Sequence, residues 1–197
     1  DQLTSIEVRK NTGQHEYIPY SSRKLSWHTD GYYNTKEKQI NGMLLHCAQP
    51  AMRGGESLLL DMDIAYILLR DENPNYIKAL SEPDALTIPA NVLDGEIIRA
   101  EQTGPVFSLN KNGRLHMRYS ARKRNINWKN DRYTSEAVDF LDSLWETGSP
   151  YILKYTLKAG EGLLCNNVLH CRTEFEDSDL QESKRLLYRG RYYDRLN

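Results

Sequence analysis

Trp27-His28-Thr29-Asp30-Gly31 is the stretch on which the reading of this 197-residue chain turns. His28 and Asp30 stand two residues apart. In an extended strand, side chains at i and i+2 leave the same face, so an imidazole and a carboxylate can converge on one ion. A second imidazole, His170, ends another strand-like run, Asn166-Asn167-Val168-Leu169-His170. Two imidazoles and one carboxylate on one face of an octahedron hold ferrous iron and leave positions open for further ligands. The same three groups also suit catalytic zinc, so the donor set alone does not choose the metal.

The C-terminal region adds a partner for such a site. The block Gly160-Glu161-Gly162-Leu163-Leu164-Cys165, continuing through His170 to Cys171-Arg172-Thr173, is followed by Lys184-Arg185-Leu186-Leu187-Tyr188-Arg189-Gly190. Arg185 on a β-like strand can bring a guanidinium close to the metal. Guanidinium is the side chain best shaped for a bidentate grip on a carboxylate. A dicarboxylate could then chelate a metal at one end and meet Arg185 at the other.

Taken together, four blocks resemble the taurine dioxygenase-like Fe(II)/2-oxoglutarate oxygenases. They are Trp-His-Thr-Asp at 27–30, Gly-Gly-Glu-Ser-Leu at 54–58, Asn-Asn-Val-Leu-His-Cys-Arg-Thr at 166–173, and the Arg185/Arg189 pair. Their order and spacing match over nearly the whole chain, from about residue 24 to about residue 195. The resemblance implies a double-stranded β-helix (jelly-roll) core with iron held by His28, Asp30 and His170. It implies that Arg185 and the hydroxyl of Ser57 hold the distal carboxylate of 2-oxoglutarate; relatives commonly carry Thr at the latter position. It places Arg189 against the acidic group of the prime substrate and Tyr33 as an aromatic beside it. Lys24 falls where some relatives touch substrate or cosubstrate. The implied reaction uses Fe(2+), 2-oxoglutarate and O2, releases succinate and CO2, and hydroxylates a small molecule bearing a carboxylate or sulfonate. Halogenating relatives lack the carboxylate ligand, so Asp30 points to hydroxylation. Two other classes remain open: a metal- and 2-oxo-acid-binding sensor that does not turn over, and a zinc-dependent hydrolase using the same ligands.

Composition bounds the partners. The formal net charge is −1, which argues against a nucleic-acid or membrane partner drawn by bulk field. Hydrophobic residues make up 39%, with no apolar run long enough to span a bilayer. The expected partner is a small anionic organic substrate, and relatives leave a homo-oligomer open. Three cysteines, Cys47, Cys165 and Cys171, are an odd count without a secretory leader. They read as reduced, strand-packing thiols in a cytoplasmic setting, which would also keep iron ferrous. Alternation points Cys171 away from the metal. The chain opens on Asp1 rather than Met. The expectation is a single oxygenase domain over 1–197 that lacks an N-terminal portion, one that could carry further substrate contacts.

Along the chain, a strand is expected around Ser5–Arg9, then a Gly13 turn, an approach to His28, and a buried strand at Ile40–Ala48. Asp61 or Asp63 caps a helix through about Leu69, and Asn73-Pro74 starts another through Leu80. Strands fill Ala85 to His116, broken at Pro89, Asp94-Gly95, Gly104-Pro105 and the hairpin signal Asn112-Gly113. Thr134 or Ser135 caps a helix whose Ala137, Phe140, Leu141 and Leu144 share one face. Tyr151–Leu157, Gly162–Val168 and Arg185–Tyr193 are the closing strands. Many short strands with flanking helices suit a mainly β jelly roll.

The remaining candidates divide as follows. Arg118 and Arg122 lie where relatives place substrate-facing elements, against the plainer reading of a solvated basic face. His116 could face substrate. His46 reads as a satisfied strand histidine and His15 as a surface residue. Arg172 reads as an orienting neighbour of His170, Arg191 and Arg195 as strand-edge charges, and Trp27 as packing beneath the metal ligands.

Overall fold

The structure, a computed structural model, describes residues 3–9, 18–178, 180 and 183–196. The Gly13 turn and His15 lie outside the described residues. The chain forms two compact units. The first draws on 1–30, 40–59 and 153–197, the second on 31–39 and 60–152.

Among the described residues, two four-stranded sheets are built from β1 (Thr4–Ile6), β2 (Leu25–His28), β3 (Gly42–Gln49), β4 (Ser57–Leu60), β5 (Leu153–Tyr155), β6 (Gly162–Cys165), β7 (Leu169–Arg172) and β8 (Leu186–Tyr192). One sheet has the order β1-β8-β3-β6 and is antiparallel throughout. The other has the order β5-β4-β7-β2, antiparallel at β5–β4 and at β7–β2. Neighbours distant in sequence, arranged in two four-stranded sheets, make the expected jelly roll. Alternation sets the two faces. Along β3, Met43 and Cys47 are buried while His46 is exposed. Ile6, Cys47 and Leu187 pack as a core cluster with Tyr20 and Leu157 against it. The first strand is shorter than the expected Ser5–Arg9, because only Thr4–Ile6 pair with β8 and the Arg9 amide donates to the Tyr20 carbonyl at 3.1 Å.

A short ribbon pairs Arg53–Gly54 with Phe175–Glu176. Gly54 adopts φ +75, and a Cβ there would stand 2.4 Å from the Glu174 carbonyl oxygen. Only glycine satisfies both constraints.

The second unit holds helices α1 (Met62–Glu72), α2 (Pro74–Leu80) and α3 (Arg132–Thr147) with several small ribbons. Asp61 caps α1 by accepting from the Asp63 amide, and Asn73 caps α2 with Pro74 at its start. The α3 helix begins earlier than expected. Asp131, not Thr134 or Ser135, is the cap, and its carboxylate accepts from both the amide and the hydroxyl of Thr134. The Asp94-Gly95 and Asn112-Gly113 signals both fall in hairpins, with Asp94, Gly95 and Gly113 at positive φ. Leu69, Leu80, Leu86, Ala137 and Leu141 are buried. No helix among the described residues is long and apolar enough to cross a membrane.

Candidate metal and anion site

The jelly roll brings the quoted stretch to its partner. β2 pairs with β7 so that His28 stands directly across from His170, with ring centroids 4.3 Å apart and planes at 49°. Asp30 follows two residues after His28. His28, Asp30 and His170 are all buried, and each offers a ligand atom within 4.8 Å of the others. The His28 Nδ1 lies 2.8 Å from the Ser26 carbonyl, and the His170 Nδ1 lies 2.8 Å from the Val168 carbonyl. A carbonyl can only accept, so Nδ1 carries the proton on each ring and Nε2 presents its lone pair. This is the tautomer a metal-ligating histidine needs.

Electrostatics fit a cation. Burial and the neighbouring His28 ring push His170 down to about 4, so its imidazole is neutral near pH 7. Burial alone would raise the Asp30 carboxyl. The His28 ring and the Arg189 and Arg191 guanidiniums outweigh it and hold the carboxyl well below its ordinary range. Two imidazoles and one ionised carboxylate are a donor set that suits a divalent metal.

Asn167 fixes the backbone of this site. Its Oδ1 accepts from the Asp30 amide at 2.7 Å, and its Nδ2 donates to the carbonyls of Asp30 at 2.9 Å and Ile40 at 2.7 Å. It does so from the left-handed region, φ +53, which asparagine tolerates better than most residues.

Both sheets line a cavity of about 580 Å³, counting its open mouth. Met43, Leu45, Leu187 and Arg189 come from one sheet, and His28, Ser57, Leu59 and His170 from the other. Arg185 lines it too and is 6% exposed. Its guanidinium lies over the Phe175 ring at 4.9 Å, and no carboxylate pairs with it among the described residues. Burial lowers it to about 10, so it stays charged near pH 7. A Cβ on Gly55 would sit 3.4 Å from the Arg185 Nε, so a glycine leaves room for this side chain.

The structure thus brings His28, Asp30, His170, Arg185, Ser57 and Arg189 into one unit. Arg189 both lines the cavity and places Nη1 3.3 Å from the Asp30 Oδ2. Lys24 is exposed and outside the set that lines the cavity. Tyr33 belongs to the second unit, where its ring meets Tyr32 edge-on at 5.2 Å and Arg99 stands 5.7 Å from its centroid. Arg118 departs from both readings of it. It is buried rather than solvated, and its guanidinium donates to the carbonyls of Leu86, Gln102, Gly104 and Pro105. A substrate anion would have to break that set. Arg122 is exposed, with Nη1 3.4 Å from the Tyr32 hydroxyl, and His116 is buried in the second unit.

Two expectations are corrected. Arg191 is not an edge charge; its Nε lies 2.8 Å from the Asp30 Oδ2. Arg172 spends its guanidinium on the carbonyls of Ser21, Arg23 and Thr173, tying β7 to the segment before β2. Asn167 and Arg191 were missed as site residues. The signal for Arg191 was its i+2 spacing from Arg189, which puts both on one face of β8.

Known structures share this architecture. An asparagine oxygenase solved with Fe(II), 2S,3S-3-hydroxyasparagine and succinate superposes with a TM-score of 0.68 at 19% identity, covering 95% of this chain and 55% of that one. The non-heme iron oxygenase OrfP, solved with Fe and alpha-ketoglutaric acid, superposes at 0.66 and 18%, with the same coverage. The fold is therefore that of the non-heme iron oxygenases with a jelly-roll core. The model of the taurine catabolism dioxygenase TauD, TfdA family matches residues 2–191, and the chain belongs to that family. A uridine-5'-phosphate dioxygenase from Amycolatopsis sp is 32% identical over 180 residues, covering 84% of this chain and 60% of its own. One from Streptomyces sp is 28% identical over 196 residues, covering 95% and 68%. The chain thus spans about 60% of the length of the first of these relatives.

Proposed function

We propose that this chain carries the metal centre of an Fe(II)- and 2-oxoglutarate-dependent dioxygenase that hydroxylates a small anionic molecule. One observation carries the reading. Two buried histidines with Nδ1 tied to carbonyls, and one buried carboxylate, share a cavity with a buried arginine that no described carboxylate pairs with.

In this reading His28, Asp30 and His170 hold the iron, and the carbonyls of Ser26 and Val168 fix the direction of the two rings. Arg185, helped by the Ser57 hydroxyl, receives the distal carboxylate of 2-oxoglutarate. When bound, iron with 2-oxoglutarate and O2 supplies the oxidation of a C–H bond to an alcohol, with succinate and CO2 released. Leucine and methionine side chains make the walls beside the metal ligands largely apolar. Arg189 meets the anion of the prime substrate. Lys24 is a weaker member of the substrate set, and Arg118 leaves it because four of its five guanidinium N–H donors already serve carbonyls. The relatives named uridine-5'-phosphate dioxygenases favour a nucleoside monophosphate as substrate, which extends the anion from carboxylate or sulfonate to phosphate. A reducing, cytoplasmic setting suits both ferrous iron and three cysteines that form no disulfide among the described residues.

The test is an anaerobic titration with ferrous iron, then 2-oxoglutarate, watching for the visible charge-transfer band of a chelated 2-oxo acid. The band should form, weaken in Arg185→Ala, and be followed on adding O2 by succinate release that uridine 5'-phosphate accelerates. Iron uptake without the band would sink the oxygenase reading in favour of a sensor. Turnover with Zn(II) and no need for O2 would favour a hydrolase.

A further inference from the structure

Two arginines reach Asp30, and they do so differently. Arg191 grips the carboxylate with two nitrogens, Nε 2.8 Å from Oδ2 and Nη2 3.2 Å from Oδ1. Arg189 offers one nitrogen, Nη1, at 3.3 Å from Oδ2 and 3.4 Å from Oδ1. The register of β8 on β3 sets the pair side by side, Arg189 opposite Leu45 and Arg191 opposite Met43. The oxygen nearest the His28 Nε2 is Oδ1, at 3.6 Å. A two-nitrogen fork fixes the plane of a carboxylate, whereas a single contact lets it turn. Asn167 already fixes the Asp30 backbone, so the carboxylate torsion is the freedom that remains.

We propose that Arg191 is the positioning residue of the metal-ligand carboxylate: its fork anchors Oδ2 and turns Oδ1 toward the two histidines, while Arg189 stays available to the substrate anion. This rests on the metal-site reading above. It differs from simple charge balance, for which any cation at position 191 would serve. Partners that hold a metal ligand in place typically govern affinity by one to two orders of magnitude.

The experiment measures Mn(II) affinity, and the d–d absorption of bound Co(II), in the full chain and its variants. Arg191→Lys keeps the charge and loses the fork; Arg191→Gln loses both. Both should weaken Mn(II) binding about 10- to 100-fold and alter the Co(II) bands. In an Asp30→Ala background, Arg191→Lys should bring no further loss. The proposal fails if Arg191→Lys retains native affinity and spectrum, which would leave charge alone as the role. It fails equally if the loss recurs in full without Asp30, which would mark general damage. A native chain that takes up neither ion would instead overturn the metal site itself.

Discussion

A buried carboxylate between two histidines is costly unless each polar group around it is served. Asn167 serves three of them, the Asp30 amide and the carbonyls of Asp30 and Ile40. Asn167→Ala leaves those groups without that partner and forces alanine into a left-handed conformation. The expected cost is about 2–4 kcal/mol of unfolding free energy, read by chemical denaturation. A loss below about 0.5 kcal/mol would show that the clamp is replaceable. Arg185 presents the complementary case, a buried cation awaiting an anion. A charge-assisted hydrogen bond contributes roughly 1.5–3 kcal/mol, so Arg185→Ala should weaken 2-oxoglutarate binding about 10- to 200-fold. Direct titration against the ferrous protein checks this, and unchanged affinity would remove Arg185 from the cosubstrate pocket.

At the scale of the element, what sequence made legible was local chemistry. Asn73-Pro74 marks the start of α2 because cap and first-turn proline act within a few residues. The start of α3 was misplaced because Thr134 is an equally good cap type. Only the structure shows its hydroxyl donating to Asp131 rather than capping. Asn167 was illegible as a site residue because its partner Asp30 lies 137 residues away, whereas Arg191, 161 residues from Asp30, had its spacing from Arg189 as a signal. Glycines offer a test of how local constraint and packing separate. Gly54 and Gly113 both have positive φ, but a Cβ at Gly54 meets a carbonyl at 2.4 Å while Gly113 has nothing within 4 Å. Gly113→Ala should therefore cost only the backbone strain, about 1–2 kcal/mol, and Gly54→Ala distinctly more. Equal costs in denaturant melts would mean that the Phe175 ribbon shifts freely to accept the methyl.

At the scale of the whole molecule, the expectation of a single domain becomes a statement about cooperativity. The candidate ligands all lie in the first of the two compact units. A metal that binds only the folded site stabilises it by RT ln(1 + [L]/Kd), about 2.7 kcal/mol at a hundredfold excess over Kd. For a chain of this size that raises a melting midpoint by roughly 5–11 °C. We propose that the chain melts in one calorimetric transition and that Mn(II) moves the whole of it upward. His170→Ala should abolish the shift while leaving the metal-free melt nearly in place. Its ring lines the open cavity and is not a member of the Ile6, Cys47 and Leu187 cluster. Two transitions, of which Mn(II) moves one, would divide the chain into independently folding units. A full shift surviving in His170→Ala would place the bound ion elsewhere, because a two-ligand remnant of this site cannot supply the same free energy.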